Sequence, residues 1–112
     1  VGSANEAVIL NSSPEAPNSR GAFYVSGPQA AVVVHGLEPL PADRIYQFWW
    51  VTPDGRQFPV APVTVQAGVE PTWAMFQVPA ELPPFTVVGI SVEPATGSPI
   101  PTGPMIVEGS QG

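Results

Sequence analysis

The 112-residue chain carries nine acids, three arginines and no lysine, a formal charge of −6. Such a surface repels nucleic acid and anionic lipid headgroups, because counterion release needs clustered cations. Cysteine is absent, which excludes disulfides and thiolate metal sites, and no run of about 20 apolar residues is present to cross a bilayer.

The length suits one domain, and Val, Ile, Leu and Phe (16, 5, 4 and 5) can fill a core despite 16 prolines and 11 glycines. β-Branched residues favour a pleated surface. No stretch free of both Gly and Pro exceeds 11 residues, so helices of ordinary length have nowhere to run. The expectation is an all-β antiparallel domain. Because position 1 is Val rather than Met, residues 1–112 are read as one domain excised from a longer chain, with an ordered core over about 6–108 and frayed termini at Val1–Asn5 and Gly109–Gly112.

Gly/Pro punctuation falls at the spacing of a sandwich or barrel. In chain order it predicts strands near Glu6–Leu10, Ala22–Ser26, Ala30–His35, Ile45–Thr52, Gln57–Val65, Thr72–Val78, Phe85–Glu93 and Met105–Glu108. Asn11–Gly21, with Pro14 and Pro17 among Ser and Asn, reads as an exposed connection. The strand from Ile45 ends in Pro53-Asp54-Gly55, a hairpin turn in which Gly55 takes the left-handed conformation. Within that strand Tyr46, Phe48 and Trp50 share one face, and Gln47, Trp49 and Val51 share the other. Large side chains on both faces predict a central strand with one face in the core and the other partly covered.

Upstream, Val32-Val33-Val34-His35-Gly36-Leu37-Glu38-Pro39 leads through Pro41 to Tyr46. A strand, a Gly-Leu-x-Pro corner and a Tyr opening the next strand resemble the pattern of fibronectin-type-III and immunoglobulin-like sandwiches. The predicted architecture is therefore a sandwich of seven or eight strands, with Tyr46 as a corner lock and Leu37 as a plug beneath the connection.

Chemistry is harder to find. His35 is the lone histidine, with only Glu38 and Asp43 near it in sequence, and reads as a structural residue rather than a base or ligand. Glu70, Glu81 and Glu93, beside prolines, read as solvated turn acids rather than a glycosidase pair. No Gly-x-Ser-x-Gly elbow and no phosphate-cradling loop occur. The expectation is no enzyme, no catalytic residue, no cofactor and no metal. Trp50 is assigned to the core. Trp49 and Trp73 stay open between core or interface and, with Trp50, a stacking platform for sugars, which keeps a secreted carbohydrate-binding or adhesion module as the alternative function. Asn11-Ser12-Ser13 matches a glycosylation sequon, and Ser98–Pro104 reads as a stiff connection feeding Pro104 into the last strand rather than a polyproline ligand.

Two segments in order resemble a known family. Gly36-Leu-Glu-Pro-Leu-Pro-Ala-Asp-Arg-Ile-Tyr-Gln-Phe-Trp49 and Ser91-Val-Glu-Pro-Ala-Thr-Gly-Ser-Pro-Ile-Pro-Thr-Gly-Pro104 are similar to stretches of the anti-sigma-K factor C-terminal domain. The resemblance spans about Phe23 to Val107. Its motif positions are Gly36, Leu37, Pro39, Tyr46, Trp49, Trp50, Gly55, Glu93, Pro94, Gly97, Pro101, Gly103 and Pro104. It implies a non-enzymatic extracytoplasmic domain of a single-pass bacterial membrane protein that controls a sigma factor through regulated proteolysis. The sigma factor and the membrane would be met by segments outside this sequence, and site-specific proteases would act nearby. The chain departs from the family pattern at Thr96, where glycine is common, and at Trp50, where a smaller aliphatic is usual.

Overall fold

The computed structural model describes residues 6–66 and 68–110. Its described residues form eight strands and no helix: β1 (Glu6–Ser12), β2 (Arg20–Ser26), β3 (Gln29–His35), β4 (Arg44–Val51), β5 (Gln57–Val63), β6 (Thr72–Gln77), β7 (Val87–Pro94) and β8 (Met105–Ser110). All pairings are antiparallel, in the order β5-β4-β7-β8-β1-β2-β3-β6. The all-β antiparallel class is as expected. Its layers, however, belong to one continuous sheet that curls until its end strands β5 and β6 approach each other.

β1 joins the two halves. Its first part pairs Glu6–Leu10 with Val25–Gly21 of β2, while Asn11 and Ser12 pair with Glu108 and Val107 of β8. The halves meet closely there: a Cβ on Gly109 would run into the backbone carbonyl of Ile9. Gly109 and Ser110 thus belong to β8 and are not a frayed end; Val1–Asn5 lie outside the described residues. The connection from Ser13 to Ser19 is largely exposed, as expected, at Pro14, Glu15, Pro17 and Asn18, but it is tied down at its ends and at Ala16. Ser13 N–H donates to the Ile106 carbonyl at 3.1 Å, Ser19 is buried, and Ala16 packs on the core.

The curl encloses an apolar core built from alternate residues of every strand. Phe23 sits at its centre. Its ring lies 5.0 Å from Phe48, 5.7 Å from Phe85 and 6.3 Å from Trp50, so β2 in one half grips β4 in the other. Trp50 is 4.8 Å from Phe85 and donates its indole N–H to the Pro83 carbonyl at 2.8 Å. The β4–β5 hairpin closes as read from sequence. Gly55 has φ +87° and donates to the Thr52 carbonyl at 2.9 Å, and Arg56 pairs with Asp54 at 2.8 Å.

Outside the core the two halves differ. The outer face of β5-β4-β7-β8 is crossed by the chain's own connection from β7 to β8. The outer face of β1-β2-β3-β6 is open, and register aligns its side chains in rows. One row runs Ile9, Ala22, Val33, Trp73; the next runs Ala7, Tyr24, Ala31, Met75. Ile9, Tyr24, Trp73 and Met75 are 66%, 49%, 61% and 73% exposed.

Trp50→Ala truncates a side chain that is packed on two rings and hydrogen-bonded, and should lower unfolding free energy by about 3–5 kcal/mol in denaturant titration. A loss under about 1 kcal/mol would contradict this packing role.

Candidate functional site

β4 is buried on both faces, and its outward side chains need a cover. Gln47 and Trp49 point away from the core yet are 5% and 0% exposed. Bulges shift the register between Phe48 and Trp49 against β5, and between Ile90 and Ser91 against β8. Both fall beside this outward patch, where they re-aim side chains. The cover is the connection Ala95–Pro104, and two polar contacts fix it.

The first contact is an amide pair. Gln47 Nε2 donates to the Ser98 carbonyl at 3.0 Å, and Ser98 N–H donates back to Gln47 Oε1 at 3.3 Å. The second is a chain of bonds that ends on a carboxylate. Trp49 Nε1 donates to Ser91 Oγ at 2.8 Å, and Ser91 Oγ donates to Glu93 Oε2 at 2.5 Å. From the connection, Thr102 N–H donates to both Glu93 oxygens at 3.1 Å, and Thr102 Oγ1 donates to Oε1 at 2.6 Å. Glu93 is fully buried, with no solvent exposure. A buried carboxylate without donors would be strongly disfavoured; one ringed by donors is held in place. Burial pushes the Glu93 carboxyl up, but hydrogen bonds from Ser91, from the Thr102 hydroxyl and amide, and from Ser98 outweigh it and hold the group below the ordinary glutamate range.

This corrects the reading of Glu93 as a solvated turn acid. Its neighbour Pro94 is exposed, and that local context hid a side chain turned inward. Glu70 does lie at the surface, accepting the Gly36 N–H at 3.0 Å, and Glu81 is exposed. Trp49 is likewise settled as buried, on the face the connection crosses. The three tryptophans occupy three different surfaces: Trp50 the core, Trp49 this covered face, Trp73 the bare outer face of the other half. They make no common stacking platform.

The other motif residues gather at the corner before β4 and along the covering connection. Tyr46 donates its hydroxyl to the Glu38 carbonyl at 2.7 Å. Burial is the main cause that raises its phenol above the usual range. Gly36 turns with φ +80°, Leu37 packs half-buried on the core, and Pro39 is exposed. Gly97, at φ +83°, donates to the Pro94 carbonyl at 2.8 Å, while Ala95 N–H reaches the Asp43 carbonyl at 3.0 Å. Pro101, Gly103 and Pro104 flank Thr102. No described residue other than glycine has positive φ, so Thr96 sits without backbone strain where the family pattern carries glycine.

His35, half-buried at the end of β3, lies opposite Arg20 in register rather than opposite an acid. Among the described residues no group of three His, Cys, Asp or Glu is placed to hold a metal ion. With donors from Ser91 and Thr102 aimed at it and no solvent contact, the Glu93 carboxylate holds the covering loop against the sheet.

The family model described as "Anti-sigma-K factor rskA, C-terminal" matches residues 2–105, and both motif segments fall within that span. No curated protein and no solved structure matches the chain.

Two outcomes follow from this geometry. Glu93 has a lowered carboxyl pKa in the folded state, so its stabilising contribution is complete above the unfolded value near 4.5 and disappears as pH falls through the folded value. Glu93→Gln should cost about 1–3 kcal/mol at neutral pH by mismatching buried donors, and should flatten the loss of stability below about pH 4.5. Denaturant titrations at several pH values check both; an unchanged acid limb would remove Glu93 as its source. At the corner, Tyr46→Phe should cost about 1–3 kcal/mol by leaving the Glu38 carbonyl unpaired, measured the same way.

Proposed function

The chain belongs to the anti-sigma-K factor C-terminal family, and on that footing we propose that it is a non-enzymatic regulatory domain on the extracytoplasmic side of a bacterial membrane. The supporting observation is the family match over 2–105, together with the way the two motif segments form one clamped unit around β4. The family name implies a sigma factor as partner of the whole protein. Sigma-factor binding and membrane anchoring are assigned to parts of that protein beyond this domain; no helix among the described residues is long and apolar enough to cross a membrane.

A domain that acts without catalysis can still control proteolysis. Proteases need extended, accessible backbone, and a paired sheet offers little of it except at loops and termini. The domain acts as a steric guard: while folded it keeps proteases from the membrane-proximal stretch, and its loosening or removal lets cleavage proceed and frees the sigma factor. Val1–Asn5, outside the described residues, are assigned to the tether.

In the full-length protein, Trp50→Ala or deletion of residues 6–110 should accelerate membrane-proximal cleavage and raise sigma-dependent transcription, with sigma binding by the cytoplasmic segment unchanged. Immunoblotting of cleavage products beside a transcriptional reporter checks this. Unchanged cleavage and transcription in both variants would overturn the guard model.

A further inference from the structure

Among the described residues the chain covers one outer face of the sheet and leaves the other bare. We propose that a second copy of this domain covers the bare face of β1-β2-β3-β6, forming an isologous dimer with the two sheets face to face. The inference rests on that face alone and does not depend on the regulatory reading.

The first argument is shape. On β1, β2 and β3 each strand sets a larger side chain beside a small one on the outer face: Ile9 with Ala7, Tyr24 with Ala22, Val33 with Ala31. The larger residue falls in one row on β1 and β3 and in the other row on β2. Tyr24 consequently stands as a knob, with a depression lined by Ala7 and Ala31 on one side and one lined by Ala22 and Val33 on the other. A twofold axis in the plane of the interface, perpendicular to the strands and between the rows, lays each strand over its own copy and each row over the other. Every larger side chain then meets its small partner: Tyr24 over Ala22, Ile9 over Ala7, Val33 over Ala31. Trp73 meets Met75, a favourable sulfur–aromatic contact. An isologous interface requires this kind of self-complementarity.

The second argument is charge. Of nine acids in the chain, none occupies the outward positions of this face, so two copies of a protein of net charge −6 can approach here without opposed carboxylates. Arg20 and His35 lie side by side at one end of the face, and Glu6 borders the opposite end. The same axis places the basic end of one copy over the Glu6 end of the other.

The third is area. Two rows across four strands, extended by Arg20 and His35 at one end and by Ser26, Gln29 and Gln77 at the other, give about 420 Å² per copy at strand and row spacings of about 4.8 and 6.8 Å, and about 850 Å² for the pair, the size of a weak, transient interface. Association should accordingly be reversible and concentration-dependent.

The test is light scattering on the 112-residue chain across a concentration series, beside tryptophan emission. Trp49 and Trp50 are buried already, so a concentration-dependent blue shift reports Trp73. The expected species at high concentration is about 23 kDa, twice the 11.7 kDa chain. Met75→Asp, at a 73% exposed position, should keep the native circular dichroism spectrum and weaken association at least about tenfold. Ala22→Arg, which fills the seat for the partner copy's Tyr24, should do the same. A chain that stays monomeric throughout, a dimer unaffected by both substitutions, or a monomer whose Trp73 emission shifts only with phosphatidylcholine vesicles would each overturn the proposal.

Discussion

The two-sided burial of β4 is the constraint on which the rest of the structure depends. A strand that alternates Tyr46, Phe48 and Trp50 with Gln47 and Trp49 cannot present either face to water without exposing aromatic surface. The inner face is satisfied by curling the sheet until Phe23 of the other half reaches Phe48 and Trp50. The outer face is not satisfied by a second layer of sheet, because the described residues supply no further strand. It is covered instead by the connection after β7, which must be held down. The segments carrying the family likeness are thus two sides of one contact, the strand that needs a cover and the loop that supplies it.

That arrangement makes the two outer faces unequal. Over β4 and β7, polar atoms meet the covering loop through directional bonds at Gln47 and Glu93. Over β2 and β3 the outward rows are apolar, carry no carboxylate and lie beneath no segment of the described chain. Single exposed apolar side chains are ordinary on protein surfaces; two aligned rows across four strands are a contiguous patch of the kind that marks an interaction surface.

Much of the architecture was legible because proline and glycine punctuate it locally. All eight strands begin and end within two residues of where turn residues and alternation placed them; the largest offsets are the late ends of β1 and β8, the early start of β2, the early end of β5 and the late start of β7. Tyr46 was readable because its acceptor, Glu38, lies eight residues away on the same corner. Glu93 and Trp49 were not. The Trp49–Ser91 bond spans 42 positions, and the donors to Glu93 come from a loop whose prolines suggest exposure. The one available signal was the pairing of large residues on both faces of β4, which demanded a cover without naming it. The bare face was hidden by alanine: Ala22, Ala31 and Ala7 are too small to announce an apolar row. The uninterrupted apolar run from Ala30 to Val34 was its trace, since a strand apolar on both sides is one with something to bury on both sides.

The use of a carboxylate at position 93 follows from what the loop can offer. Pro99, Pro101 and Pro104 have no amide hydrogen, so the backbone between Ser98 and Pro104 presents few donors by which the sheet could grip it. Thr102 supplies two, through its amide and its hydroxyl, and Ser91 aims a third from the sheet side. An apolar residue at 93 would bury well but leave these donors unpaired, each at a cost of about 1–3 kcal/mol. A neutral amide would present a donor of its own where only acceptors fit. The carboxylate alone accepts from both sides, and its desolvation is offset by charge-assisted bonds that are shorter and stronger than neutral ones. Directionality is the consequence that matters for a regulator. Apolar contacts allow a stiff loop to slide along a sheet, whereas these bonds admit one register. The same bonds keep Trp49 and the outer face of β4 out of water, so the clamp and the burial of that face depend on one contact.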